Sequence, residues 1–316
     1  MINDIEKIEN LIKGFPTIIM YRINYLGKRG YVLQEPFKPY SGLTGALTSA
    51  TFKGNIGAKR LETWRDTQRA DLGAENADAF LEQMASFGNL LHQCLVRIKN
   101  DGYLDFDFER DYASAFFEKS ALDNNIKPNA NVIRKQVFEY SKSAASLLQF
   151  FYECVTEVHA IEGMCKSDEL SIATPIDIVC TLKDKKGDFK ATLNLKTSSQ
   201  IGDHQLEQAV VEKHLWNTTY PEMQVTKTGI LRPKAWSLKK MIPTYELALV
   251  EEKEEERILT SALRRLAICL NDEESTYYNF PASVNVFTGK IKAGEPPIIT
   301  SKTLESLFTE SLTREI

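Results

Sequence analysis

Two short stretches of this chain carry side chains suited to chemistry on a phosphate. In "IDIVCTL" Asp177 alternates with Ile176, Ile178, Cys180 and Leu182; in "FKATLNLK" Asn194 and Lys196 alternate with Phe189, Ala191, Leu193 and Leu195. A period of two sends the polar residues to one face of a strand and the apolar ones to the other, where a core must cover them. The connection "KDKKGD" is charged and holds Gly187, a hairpin signal. A turn centred between Lys185 and Lys186 puts Asp177 across from Asn194; a turn centred between Lys186 and Gly187 puts it across from Lys196. Either register gathers all three on one face. A hard divalent cation takes one or two carboxylates plus waters and phosphate oxygens, and a nearby ammonium orients water or stabilises charge developing on phosphorus. Asp177 is then the ligand and Lys196 the electrostatic group. The simpler alternative is a polar strand face turned to solvent.

Three further features bear on this choice. "FGNLLHQCLVRI" sets His92 on a helix whose apolar stripe is Met84, Phe87, Leu91, Leu95 and Ile98, with Gly88 one turn earlier leaving space beside the imidazole. Glu157, in the strand-like "TEVHAI", lies about one hairpin before Asp177 and adds a carboxylate. "DHQLEQAVVEKHLW" reads as a helix with Asp203 as N-cap and Gln205 in its first turn, where an amide can meet the site or a phosphate.

The elements that must position these residues follow from periodicity. Ile5, Ile8, Leu11 and Ile12 predict a helix from Asn3 to Lys13, and "TIIMYRINYLGKRGYVLQ" predicts two strands around Gly27 to Gly30. From about Gly57 to Ile161 the pattern is helical, with breaks near Asp101-Gly102 and at "NNIKPNAN". The strand-like segments "TEVHAIEG", "LSIATPIDIVCTL", "FKATLNLK", "VTKTGILR" and "TYELALV" then alternate with helices at Asp203 to about Trp216 and Glu251 to Leu270. Three strands, a helix, two strands and a helix predict an α/β protein with a mixed sheet and helices packed on it. The expected organisation is an N-terminal helix and hairpin over 1–40, a helical part over 41–156, a core over 157–270 and an extension over 271–316, where only "SKTLESLFTESL" looks helical.

At 316 residues with 43% hydrophobic content the chain has enough apolar mass for a sizeable core. Its longest apolar runs, such as "PTIIMY", fall short of the ~20 residues that span a bilayer, so no membrane association is expected. "MINDIEKIEN" is acidic where a secretory signal is basic and then apolar, which points to the cytoplasm. Five cysteines without CxxC spacing indicate neither a disulfide framework nor a zinc or iron–sulfur cluster. A net charge of −4 argues against a uniformly basic coat for nucleic acid but leaves room for a local basic groove.

In order and spacing, Gly88 to His92, Glu157, Pro175-Ile176-Asp177, Asn194-Leu195-Lys196-Thr197 and Gln205-Leu206 resemble the motif series of the PD-(D/E)XK nuclease superfamily, RecB-like branch. Upstream, "SGLTGALTSAT", "LETWR" and the glycine–histidine segment resemble the mitochondrial genome maintenance exonuclease type and its phage relatives, so the likeness runs from about Ser41 to Val250. It implies a restriction-endonuclease-like mixed-sheet core with a helical N-terminal half, and metal-dependent hydrolysis of DNA, commonly from an end, in recombination or repair. It implies Mg²⁺ or Mn²⁺ as cofactor, with His92, Asp177, Asn194 and Leu195 as its ligand set. Lys196, Asp177, Asn194, Glu157 and Gln205 are the implied catalytic group, with Lys196 assisting the attacking water and Gln205 positioning the strand. Trp64 and Arg65, with Lys59 and Arg60, would contact DNA by stacking and phosphate pairing; core packing is the alternative for Trp64. The partners implied are single-stranded DNA or duplex ends and a replication or recombination protein, in the cytoplasm of a bacterial or phage-infected cell.

The chain departs from the pattern at three positions: Asn194 replaces an acid, Pro175 a glycine and Ala209 a tyrosine. The four-cysteine cluster of some relatives is absent, and with it the expectation of an iron–sulfur cofactor. Asparagine keeps the shape and one carbonyl oxygen but removes a negative charge, which lowers cation affinity. Three accounts stay open for Asn194: an aspartate replaced to give an inactive protein, a natural variant that turns over slowly, or a descendant that binds DNA without cutting. Intact Lys196 and His92 favour the first. A non-catalytic DNA-binding or phage structural protein reusing the fold is the alternative function. The nuclease reading expects a basic channel over Asp177 and Lys196, drawn from Lys59, Arg60, Arg65, Lys183, Lys185 and Lys227.

Overall fold

The computed structural model describes residues 5–8, 17–25, 28–33, 38–50, 66, 74–123, 127–198, 200–234 and 243–270. Among these, nine strands make one open mixed sheet with helices on both faces. Strands β1 (Ile5–Ile8), β2 (Met20–Tyr25), β3 (Lys28–Leu33) and β4 (Lys38–Gly42) form an antiparallel meander. The helix expected at the N-terminus is thus corrected: Ile5 pairs with Ile23 and Ile8 with Met20. Cross-strand pairing outweighs helical spacing in so short a segment, because an isolated helix of that length is marginal.

Ser41 and Gly42 of β4 pair in parallel with Ile172 and Ala173 of β6 (Ile172–Leu182). The boundary expected at residue 40 therefore falls inside β4, and the first strands continue the same sheet rather than forming a separate extension. Three long helices follow α1 (Leu43–Ala50): α2 (Ala74–Asp101), α3 (Phe106–Asp123) and α4 (Ala130–Cys154). The expected breaks have clear causes. Gly102 takes φ +70° past the end of α2 while its N–H bonds Ile98 O at 3.0 Å, a left-handed stop that suits glycine. Asn129 caps α4 by accepting from the N–H groups of Asn131 and Val132. Helix gives way to strand at Val155 rather than Ile161, where Val155, Thr156 and Val158 open a β-branched stretch.

Strand β5 (Val155–Ser167) lies antiparallel along one edge of β6; β7 (Phe189–Leu195) pairs antiparallel with β6, β8 (Lys227–Pro233) parallel with β7, and β9 (Tyr245–Leu249) antiparallel with β8. Helix α5 (Asp203–Thr219) makes the crossover between the parallel strands β7 and β8, and α6 (Glu252–Leu270) follows β9. Gly202, not Asp203, is the N-cap of α5.

Two apolar layers enclose the sheet. Leu91, Leu95, Phe117, Leu147 and Phe150 from α2, α3 and α4 pack on Ile178, Cys180, Leu182, Ala191, Leu193 and Leu195. Leu43, Val211, Leu215, Trp216 and Leu266 from α1, α5 and α6 pack with Ala160, Ile172, Ile176 and Val179. Ile176 and Ile178, expected on one face, thus enter different layers, so the alternation breaks at Asp177. Strands β4 and β7 share the other edge of β6, β4 stopping at Ala173 and β7 arriving at Ile178. Between them the β6 edge from Thr174 to Asp177 has no ladder partner among the described residues, and the sheet forks there.

Among the described residues no helix is long and apolar enough to cross a membrane. Trp64, Arg65, Lys59, Arg60 and the tail 271–316 lie outside the described residues.

Candidate metal centre at the sheet fork

Asp177 stands at this fork. Ile178 pairs with Leu193, and continuing that ladder by one step sets Asp177 across from Asn194, the first of the two registers the turn allowed. The turn is closed by Gly187, at φ +123°, whose N–H bonds Asp184 O at 3.2 Å. Asp177 is buried and accepts from the N–H of Leu195 at 2.6 Å. Leu195 can offer only backbone groups, and its N–H is committed to Asp177.

The second oxygen of Asp177 lies 3.6 Å from Nδ1 of His92, which in turn lies 2.6 Å from Oε1 of Glu162. His92, Glu162 and Asp177 present ligand atoms all within 4.8 Å of one another. Burial opposes a charge on His92, yet Asp177 and then Glu162 outweigh it and lift the imidazole to about 9, with Lys196 pulling the other way. The helix places His92 as expected, with Leu91, Leu95 and Ile98 buried beneath it. A Cβ at Gly88 would meet no atom within 4 Å, so open space lies there.

Glu157 does not join this group. It pairs across from Thr181 with its side chain 68% exposed, 3.8 Å from Nδ1 of His159. Two irregularities in the β5–β6 ladder, between Val155 and Glu157 and between Val158 and Ala160, shift the register before it settles at Ile161 with Ile178 and Gly163 with Ile176. Those pairs bracket Glu162 opposite Asp177. Glu162 holds this place with φ 56°, a left-handed conformation that costs a residue with a Cβ on the order of 1–2 kcal/mol. Bulges near functional groups re-aim side chains in this way, and simple hairpin counting does not foresee them.

Behind the fork, Asn194 is 2% exposed and its amide Nδ2 donates to Oε2 of Glu212 on α5. Oδ1 of Asn194 has no hydrogen-bond partner among the described residues. Oε1 of Glu212 accepts from Gln208 Nε2 at 2.7 Å and from Thr174 Oγ1 at 3.4 Å. Burial, then the charge of Asp177, pushes the Glu212 carboxyl up to about 8, against the pull of Lys196, Gln208 and Thr174. Lys196 leaves the strand with its N–H on Leu231 O at 2.9 Å and its ammonium 3.4 Å from Gln208 Oε1.

Gln205 is spent on the loop before α5: Gly202 N donates to its Oε1 at 3.1 Å, and its Nε2 donates to Ser198 Oγ at 3.1 Å. The side chains of α5 that reach the fork are Gln208 and Glu212, which sequence reasoning missed. They were visible as a polar stripe, with Gln205, Gln208 and Glu212 at i, i+3 and i+7 on one helical face. Of the residues expected to line a basic channel, only Lys183, Lys185 and Lys227 are described, and they lie toward the turn end of the strands. Lys183 bonds Tyr152 O at 3.3 Å and lies six residues along β6 and its turn from Asp177, roughly 20 Å at a rise of about 3.3 Å per residue. Lys185 is in the same turn, and Lys227 starts β8 beside Ala191, toward that end of the strands.

An arrangement of two carboxylates and an imidazole with an ammonium nearby can bind a divalent cation and act on an anionic ester. Compared with known families and curated proteins, the chain matches no family model and no curated sequence.

Proposed function

We propose that this protein is a metal-dependent nuclease with a restriction-endonuclease-like core, hydrolysing phosphodiester bonds of DNA. The observation that carries the proposal is the convergence of His92, Glu162 and Asp177 within 4.8 Å, from a helix and two consecutive strands that follow it well over fifty residues later in the chain. Lys196 stands at the same fork, its ammonium 3.4 Å from Oε1 of Gln208, whose Nε2 donates to Glu212 at 2.7 Å.

The residues fit a hard cation such as Mg²⁺ or Mn²⁺: two carboxylates and an imidazole make a donor set that a lone proton satisfies poorly. When bound, such an ion supplies charge to a phosphoryl oxygen and acidity to a water. His92, Glu162 and Asp177 would hold it. Leu195 fixes the Asp177 carboxylate through its N–H, and Gln208 keeps the Lys196 ammonium near the fork. In hydrolysis a water adds to phosphorus, one P–O ester bond breaks, and the leaving oxygen takes a proton. The Lys196 ammonium offsets negative charge as it builds on the phosphoryl oxygens.

Asn194 favours a second reading, a protein that binds DNA without cutting it, because the buried amide stands where the resemblance expects an acid. One assay separates the two: end-labelled single- and double-stranded DNA is incubated with Mg²⁺ or Mn²⁺ and this chain or its Asn194→Asp variant. Metal-dependent cutting by either protein supports the nuclease. DNA binding that ignores metal, with no cutting by either, would establish the second reading.

A further inference from the structure

Arg232, near the end of β8, is only 7% exposed, an uncommon place for a guanidinium, which gives up much hydration on burial. Its fork is divided between two partners. Nε and one terminal nitrogen donate to Oε2 of Glu246, its cross-strand partner on β9, with Nε at 2.8 Å. The other terminal nitrogen donates to the backbone oxygen of Ser198 at 3.1 Å. Ser198 is the second residue after Lys196, whose own N–H is held by Leu231 O at 2.9 Å. Consecutive residues of β8 thus hold the chain as it leaves β7, Leu231 at Lys196 and Arg232 at Ser198. Helix α5 holds it from the other side, with Gln205 Nε2 on Ser198 Oγ at 3.1 Å and Gln208 Oε1 3.4 Å from the Lys196 ammonium.

Joining β8 to β9 does not require this arrangement. Five cross-strand pairs, from Gly229 with Leu249 to Pro233 with Tyr245, already connect the two strands. A well-packed apolar side chain often replaces a buried ion pair without loss of stability. Glu246 also has a second cation, Lys234 Nζ at 3.0 Å, so its charge does not depend on Arg232 alone. What an apolar residue cannot do is donate to Ser198 O, and a lysine lacks the planar fork that fixes two acceptors at a set angle. Arginine is therefore specifically suited to the contact with the segment that carries Lys196.

We infer that Arg232 is a positioning residue: braced by Glu246, it fixes the backbone just beyond Lys196 and so sets where the Lys196 ammonium stands at the fork. The inference rests on the reading of Lys196 given above and extends the working machinery to β8 and β9. A displacement of about 1 Å in a group that acts on the reacting atoms can cost on the order of 10²-fold in rate.

The test is single-turnover cleavage of end-labelled single-stranded DNA with Mn²⁺, over a range of protein concentrations, in the unchanged chain and in an Asn194→Asp background. Circular dichroism checks folding. The variants are Arg232→Met, Glu246→Gln, Lys196→Ala, and each of the first two combined with Lys196→Ala. Methionine fills the space of the arginine stem and Glu246 keeps Lys234, so Arg232→Met has reason to fold; Glu246→Gln carries the same comparison if it does not. Arg232→Met should lower the saturating rate on the order of 10–10²-fold, and Glu246→Gln by a smaller factor, with the half-saturating protein concentration unchanged. In the Lys196→Ala background either change should cost less than about threefold more, because no ammonium remains to be placed.

An unchanged rate in the folded Arg232 and Glu246 variants overturns the inference and leaves Lys196 its role. So does a loss that is as large with Lys196→Ala as without it, or a shift in half-saturation with a normal saturating rate, either of which would have Arg232 acting apart from Lys196. A normal rate in Lys196→Ala removes Lys196 and this inference together while the nuclease reading stands. If neither background cuts DNA, the nuclease reading fails and the inference with it.

Discussion

Toward α2, His92, Glu162 and Asp177 crowd their ligand atoms within 4.8 Å, and only the proton on one imidazole stands between two carboxylates. Toward α5, Asn194, Gln208 and Thr174 set hydrogen-bonding groups around Glu212. One cluster gathers two carboxylates at an edge where the side chains are 12–29% exposed; the other holds a single acid, 2% exposed, in the interior. The difference shows how one sheet fork can hold several acids without coming apart: charge is kept at the rim, and the acid behind it, pushed up to about 8 by burial and then by Asp177, keeps its proton near neutral pH. Buried carboxylates survive when each lone pair has a donor, and rim carboxylates survive because water and ions reach them.

The sharpest way to break the comparison is Asp177→Asn, since the Asp177 charge raises both His92 in the first cluster and Glu212 in the second. Mn²⁺ at a hundred times its Kd should stabilise the unchanged protein by about 2.7 kcal/mol. The variant should show no such rise in thermal melts, and no cleavage. An undiminished rise would put the cation elsewhere. Next is Lys196→Ala, which should lower single-turnover cleavage on the order of 10²–10³-fold while leaving Mn²⁺ affinity in place, as expected for a group that stabilises developing charge. A near-normal rate would remove Lys196 from the chemistry.

Asn194→Ala probes the sealed cluster alone. Stripping one donor from a buried carboxylate should cost about 1–3 kcal/mol in urea unfolding without metal. An unchanged midpoint would mean that water replaces the amide. Glu162→Gln should weaken Mn²⁺ binding about tenfold, and Glu157→Ala should alter stability by less than about 0.5 kcal/mol and leave Mn²⁺ affinity as it was. If those two effects were reversed, the ladder shift that brings Glu162 to the fork would be the wrong account of β5.

The shared face of Asp177 and Asn194, the helix carrying His92 and the crossover helix α5 were legible because each depends on local periodicity; which of the two turn registers holds was left open by the sequence and is fixed by Ile178 facing Leu193. Glu162 was not, because its place depends on two ladder irregularities in β5 that leave no mark in alternation. Gln208 and Glu212 were partly legible: they share a helical stripe with Gln205, whose place near the N-terminus of α5 suits a functional role but whose amide ties the preceding loop. At the N-terminus, helical spacing in Ile5 and Ile8 lost to pairing with β2, a tertiary effect that a window of a few residues does not contain. The mixed sheet followed from the order of strands and helices. The fork did not, because it depends on β4 and β7, separated by the whole helical segment, meeting the same edge of β6.

That shared edge bears on the order of events when the chain folds. Ser41 must find Ile172, and Ala191 must find Lys227, before the two parallel ladders exist. Closing loops between distant residues is entropically slow, whereas α2, α3 and α4 can form from neighbours. A nascent chain that has emerged only as far as Lys196 carries His92, Glu162 and Asp177 but lacks α5 and the strand that fixes its crossover. Glu212 reaches the fork as that crossover closes, and its partners Asn194 and Thr174 are 18 and 38 residues away, against 70 between His92 and Glu162, so on loop-closure entropy the sealed cluster forms ahead of the rim.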